Sequence, residues 1–346
     1  MKEIKLKSLI FFSFLTAYLF SIRIAGILIL IQYFVSLLIF ANLPSVNFVK
    51  FLKQNFLKFL LFIICLSFFT YLLYPLYWTN PFLLADSIKT MANHFNNVGT
   101  NTFGETMYST NLPSTYLPIW FLVKLPTIII LGLILVPITE KKIFNNKKNS
   151  IIFGTILATI FLLPFILIIS KTHLYDEIRQ VMFLVPLFFI SGLISIYMFS
   201  KNFFYTLSFL TICLFLIENV KINPYQYVWF NIPSRFLDLT DKFELEYQGI
   251  SGREIAKSIL SLKRQDQCVL INPIHSVEPF LNNSGYDCFD IWQKIDTDFK
   301  RPFLAVQHVR NLKKNLPYNC EVIDETNFSL IFHKKKFITS KLLSCE

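Results

Sequence analysis

IIFGTILATIFLLPFILIISKTHLYDEIRQVMFLVPLFFISGLISIYMFS, residues 151–200, contains two charge-free runs, 151–170 and 180–200. Between them lie nine residues of which five are ionisable: Lys171, His173, Asp176, Glu177 and Arg179. A helix rising 1.5 Å per residue needs roughly 20 residues to cross the ~30 Å hydrocarbon core of a bilayer, and each run has that length. Two such runs joined by a short charged turn are what a pair of membrane helices with a wet connection requires. The fold class expected is an α-helical integral membrane protein with about seven transmembrane helices and a small C-terminal extracytoplasmic α/β domain.

Composition points the same way. Of 346 residues 54% are apolar and 16% charged, with a positive mean hydropathy, which is far from an ordinary soluble domain. The net charge of +11 would suggest nucleic acid as a partner if it covered a globular surface. Residues 1–220, however, carry 16 basic and 7 acidic groups, whereas residues 221–346 carry 17 and 15. The excess belongs to the ends of membrane helices, so no nucleic-acid partner is expected.

Outward from the opening stretch, residues 59–78 form a third charge-free run, and 117–138 and 202–218 complete the later spans. In the N-terminal stretch Arg23 divides two apolar runs. One long helix would leave that guanidinium at mid-membrane, so two spans, 8–22 and 24–41, meeting at Arg23 are expected. The beginning, MKEIKLKSLIFFSFL, resembles a signal peptide but no small-residue cleavage site follows it, so it reads as a retained first span. Seven spans put eleven basic residues on the cytoplasmic side and five in the short outer loops. The expected localisation is the plasma (inner) membrane, with a cytoplasmic N-terminus, an outer loop over 79–116 and an extracytoplasmic domain over 221–346.

That last region reads as α/β. SGREIAKSILSLKR (251–264) has Ser251 and Glu254 at capping-box spacing before an apolar helical face. QCVLINP (267–273), FLAVQHV (303–309) and NFSLIFH (327–333) read as strands. Cys268, Cys288, Cys320 and Cys345 all lie here, and in an oxidising compartment they allow three pairings among which sequence does not choose. No C-x-x-C spacing points to zinc.

Candidate binding groups collect at the outer mouths of the spans. Lys171 and Arg179 are suited to a phosphate, while Asp176 or Glu177 orients them or receives a sugar hydroxyl, and His173 is counted among the binding groups of the same turn. The plain alternative is a solvated turn. In the loop 79–116, His94, Glu105 and Tyr108 supply hydrogen-bonding groups, and a loop of that length is more than a connector. Lys124 lies about one turn inside a span, either snorkelling or turned inward as a phosphate ligand beside Trp120 and Tyr116. Arg23 has the same two readings. Together Arg23, Lys124, Lys171 and Arg179 are expected to ring one anionic site.

LPSTYLPIWFLVKLP (112–126), HLYDEIRQVMFLVPLF (173–188), NPYQYVWFN (223–231) and FELEYQGISGREIA (243–256) resemble, in order, the distal half of GT-C-type membrane glycosyltransferases, the protein O-mannosyltransferase and aminoarabinose-transferase-like group. SIRIAG (21–26) is similar to the arginine-bearing junction of a helix pair in that group. The resemblance implies a membrane glycosyltransferase that moves a sugar from a polyprenyl-phosphate donor to an acceptor on the outer face. It favours Tyr175, Asp176, Arg179 and Lys124 as functional residues. It also implies an acidic base toward the acceptor, and cationic groups or a divalent metal at the leaving phosphate.

Three departures stand out. The family's carboxylate lies in its first outer loop, and SIRIAG has none. Gln180 stands where histidine is usual, and EYQG (246–249) replaces an acid-Tyr-Trp-Gly pattern. The chain then reads as part of a longer enzyme, as a split subunit whose partner supplies the base, or as a non-catalytic lipid-phosphate-binding subunit or scaffold. Asp86, Glu105 and Asp176 are the substitute bases it offers.

Overall fold

The computed structural model describes residues 5–22, 24–43, 46–80, 82–93, 97–262, 267–271, 277–286, 288–291, 302–311 and 319–346. The protein is mostly helical, with a small C-terminal sheet region. The helices of the first two hundred residues are α1 (Leu6–Ile22), α2 (Ile29–Ala41), α3 (Phe48–Leu73), α4 (Leu83–Asn93), α5 (Tyr116–Lys124), α6 (Thr127–Ile134), α7 (Val136–Ile143), α8 (Lys147–Ile169) and α9 (Val185–Phe199). A short hairpin, β1 (Gly99–Thr102) and β2 (Glu105–Tyr108), precedes α5, and α10 (Lys201–Lys221) follows α9.

Among the described residues, four helical stretches are long and apolar enough to cross a membrane: Phe48–Leu73, Lys147–Ile169, Arg179–Phe199 and Lys201–Lys221. The pair α5 and α6 makes a fifth if it is one span, but it is bent by 115°. The uninterrupted span expected over 117–138 is therefore not formed. Pro126 has no N–H to continue the helix and disfavours helical geometry at Leu125, and Pro137 opens α7 in the same way. α1 and α2 are apolar but only 17 and 13 residues long. The span expected at 59–78 begins earlier and ends sooner: Asn47 caps α3 by accepting the Lys50 N–H at 3.0 Å, and the helix stops before Pro75.

By contacts the chain divides into two compact units. The first comprises Met1–Gly99, Tyr108–Leu117 and Ile128–Tyr205; the second comprises Thr100–Met107, Pro118–Thr127 and Thr206–Glu346. In the first, α1 packs on α3, α2 on α8, and α9 on both α7 and α8. Hydroxyls join these segments: Thr16 with Tyr33 at 2.9 Å, Ser36 with Thr155 at 2.9 Å, and the Tyr74 hydroxyl donating to the Phe20 carbonyl at 2.6 Å. α6 and α9 meet backbone to backbone, since a Cβ on Gly132 would lie 2.1 Å from the Gly192 carbonyl oxygen.

The second unit adds α11 (Leu239–Lys242), α12 (Gly252–Ser261), β3 (Val269–Ile271), α13 (Glu278–Asn282), β4 (Phe289–Ile291), β5 (Phe303–His308), β6 (Cys320–Phe328) and β7 (Phe337–Cys345). Its sheet runs β4-β3-β5-β7-β6, parallel among β4, β3 and β5, antiparallel beyond. Ile255, Ala256 and Ile259 of α12 are buried in one cluster with Val269, Leu304, Val306 and Leu342 of the sheet. The strand expected at 327–333 is displaced: β6 ends at Phe328 and the chain turns, with Phe332 at φ 63°. β7 lay unread because its alternation is broken by paired apolar residues. The capping box does not form either. The Ser251 hydroxyl pairs with that of Ser340 at 2.6 Å, and Glu254 accepts from the Tyr225 hydroxyl at 2.8 Å. Of the three pairings open to the cysteines, the protein has Cys268–Cys288 and Cys320–Cys345, the latter joining residues that face each other across β6 and β7.

Candidate functional site

The charged turn after α8 is held in an unusual backbone. Ser170 ends the helix, Lys171 turns left-handed at φ 49°, and the N–H groups of Lys171 and Thr172 return to the Ile168 and Leu167 carbonyls at 3.1 Å each. This is a Schellman-type stop, with lysine where glycine is usual. Asp176 and Glu177 also have positive φ, 52° and 67°. Such conformations cost of order 1–3 kcal/mol each for a side chain with a Cβ, so the surroundings must enforce them. Tyr116 supplies part of that force: its hydroxyl accepts the Glu177 N–H at 3.1 Å and donates to the Glu177 carbonyl at 3.3 Å. Tyr116, expected beside Lys124 as a platform, is thus the clamp of this turn.

Asp176 is buried and forms an ion pair with Arg179, Nη1 to Oδ2 at 3.5 Å. The Arg179 side chain is itself half exposed. It lines, with Gln180, a cavity of about 350 Å³. Gln32 and Thr159 add polar groups to its wall; Leu19, Ile22, Leu163 and Leu187 make much of the rest apolar. Ile22 and Gly26 come from the SIRIAG turn, so two of the motif stretches, 21–26 and 173–188, meet at one cavity within the first unit. The Oε1 atom of Gln180 is buried there without a hydrogen-bond partner among the described residues. The same holds for Nδ1 of His173. A half-exposed guanidinium and apolar walls together suit an amphiphile with an anionic head.

No family model, curated protein or solved structure matches this chain. The site therefore rests on its own geometry.

The remaining expected residues lie elsewhere. Arg23 and His94 are outside the described residues. Lys171 and Tyr108 are exposed, and Tyr175 is partly so. Asp86 is exposed on the first turn of α4, and Glu105 is exposed on β2. Lys124 is buried in the second unit, where Nζ donates to the Tyr227 carbonyl at 3.2 Å and sits 4.2 Å from the centre of the Phe230 ring. It is held by a carbonyl and an aromatic face. Nearby, the amide of Asn231 donates to the Leu122 and Leu125 carbonyls at 2.5 and 2.9 Å, satisfying the helix end that Pro126 leaves open. NPYQYVWFN is thereby a brace for the end of α5. Among the described residues no three His, Cys, Asp or Glu side chains gather as metal ligands.

Sequence reasoning missed a closed polar cluster in the second unit. Glu246, fully buried, accepts from the Tyr227 hydroxyl and from the N–H groups of Gln248 and Gly249 at 2.8 and 2.7 Å, and pairs with Nε2 of buried His308. Burial alone would raise its pKa, but the hydrogen bond and charge of His308, with the Tyr227 hydroxyl and the Gln248 N–H, bring it down to about 2. Tyr227 is pushed far above the ordinary phenol range by burial and the Glu246 charge. Glu218 and Arg235 form a second buried pair, with Nη1 and Nη2 at 2.5 and 2.7 Å from the two carboxylate oxygens. The signal for Glu246 was present in the EYQG stretch, whose Gly249 takes φ 68° to turn the amides inward.

Proposed function

We propose that this protein is a GT-C-type membrane glycosyltransferase, or the distal part of one, that binds a polyprenyl-phosphate sugar at the cavity beside Arg179. One observation carries the reading: the half-exposed Arg179 lines an otherwise largely apolar cavity beside Gln180, whose buried amide oxygen has no partner among the described residues. The guanidinium would hold the phosphate by charge-assisted hydrogen bonds, Gln180 would accept a sugar hydroxyl, and the first prenyl units would lie along Leu19, Leu163 and Leu187. In transfer, the acceptor oxygen bonds to the anomeric carbon as the carbon–phosphate oxygen bond breaks. The electron pair leaves on the phosphate, and a base takes the acceptor proton. The seven-span topology with the turn 171–179 and residues 221–346 outside belongs to this proposal, supported by the eleven lysines of the opposite side.

A second reading, a lipid-phosphate-binding subunit whose partner supplies the base, is favoured by one feature. Among the described residues the cavity lining contains no carboxylate, and Asp176, of the same turn as Arg179, is engaged by it. The test is binding of a labelled polyprenyl-phosphate sugar to the purified protein, followed by transfer. Arg179→Ala is expected to weaken binding about tenfold or more, as loss of a charge-assisted contact does, with Arg179→Lys intermediate. Unchanged binding by Arg179→Ala removes the reading. Binding without transfer favours the subunit.

A further inference from the structure

A second cavity, of about 420 Å³, lies toward the other end of α8. Its walls are apolar, from Ile143, Ile152, Ile156, Ile190, Ile194 and Tyr197. The rim differs from that of the Arg179 cavity. Lys141 and Lys142 end α7, Lys147 and Lys148 open α8, and Lys201 opens α10; Glu140 is the one acidic residue from 136 to 150. Two ammonium groups reach lining or adjoining wall residues. Lys142 Nζ donates to the carbonyl of Met198, a lining residue, at 3.1 Å, and Lys201 Nζ stands 5.6 Å from the centre of the Tyr197 ring.

Lysines at the start of α8 and α10 face the positive ends of their own helix dipoles, and neither first turn contains an acid. Like charges gathered this way repel one another unless an anion joins them. At a bilayer surface the abundant anion with an apolar tail is a lipid. We propose that this groove binds one anionic phospholipid: an acyl chain in the isoleucine-lined cleft, the phosphate among Lys142, Lys201 and the first turn of α8. The site is separate from the Arg179 cavity and does not depend on sugar transfer.

The experiment uses the full chain purified into nanodiscs of phosphatidylcholine with a rising share of phosphatidylglycerol, then native mass spectrometry of the lipid that stays bound. The protein is expected to retain phosphatidylglycerol in preference to phosphatidylcholine. Lys142→Gln with Lys201→Gln is expected to cut that preference about tenfold, in line with the contribution of surface lysines, while Lys142→Arg with Lys201→Arg keeps it. Ile156→Trp, which fills the cleft, is expected to lose both lipids. Equal retention of the two lipids by the unaltered protein overturns the proposal, as does an undiminished preference in the double glutamine variant. Both lysines are exposed, so the glutamine variant is expected to fold even if the tryptophan variant does not.

Discussion

Glu218 near the end of α10 and Arg179 after α8 both flank apolar helices, yet the protein treats them in opposite ways. Glu218 is buried and takes four donors: both Nη atoms of Arg235, the Trp229 indole at 2.8 Å and the Ile331 N–H at 3.1 Å. Arg235 in turn donates to the Phe230 and Ile331 carbonyls. Among the described residues Arg179 has one long ion pair, with half its side chain exposed, next to a buried amide oxygen with no partner. A saturated buried pair has nothing left to offer a ligand, and breaking it strands a charge. An open cation at a cavity mouth is inexpensive to remove structurally and leaves binding capacity behind. Completeness of partnering, more than residue type, separates the brace from the candidate site.

That contrast is easiest to break from the saturated side. Arg235→Ala leaves Glu218 buried without its charge partner and is expected to cost about 3–5 kcal/mol, read as a fall in thermal stability in detergent. A loss under about 1 kcal/mol would mean the pair is no brace. Glu246 gives the next effect. Its folded pKa of about 2 lies below the ordinary 4.5, so its contribution is full above about 4.5 and disappears as pH falls toward 2. Glu246→Gln is expected to lower stability by a few kcal/mol at neutral pH and to flatten the acid limb of a melting-temperature profile. Retention of the steep acid limb in that variant would assign it to another carboxylate.

Within the first unit, Gly132→Ala sets a methyl against the Gly192 carbonyl. Such overpacking is expected to cost about 1–3 kcal/mol, measured by denaturation in mixed micelles; wild-type stability would show that α6 and α9 can part freely. The smallest structural effect sharpens the comparison most. Arg179→Ala is expected to change stability by less than about 1 kcal/mol while lowering lipid-phosphate binding. A stability loss as large as that of Arg235→Ala would make Arg179 a second brace.

Much of the architecture was legible from the chain alone, and for one reason: a bilayer admits few backbones. Charge-free runs of about 20 residues have to become helices in lipid, which is why α8, the stretch 179–199 and α10 stand close to where the hydropathy pattern puts them. Short apolar runs such as QCVLINP and FLAVQHV beside the SGREIAKSILSLKR helix likewise announced a small α/β region. Local chemistry read less well. The prolines at 126 and 137 were visible, but their effect on a continuous apolar run depends on whether Asn231, more than a hundred residues away, caps the carbonyls they release.

The sequence by itself determined that this is a mostly helical chain, with several helices long and apolar enough to cross a membrane and an α/β tail, because hydrophobic length and periodicity are properties of a continuous stretch. Only the tertiary structure decided which charges are spent. Lys124, Glu218 and Glu246 look as available in the chain as Arg179 does, but Lys124 meets the Tyr227 carbonyl, Glu218 the Ile331 N–H and Glu246 the His308 ring, each from a segment distant in sequence. Such long-range contacts close these three groups, while among the described residues Arg179 keeps half its side chain exposed at a cavity.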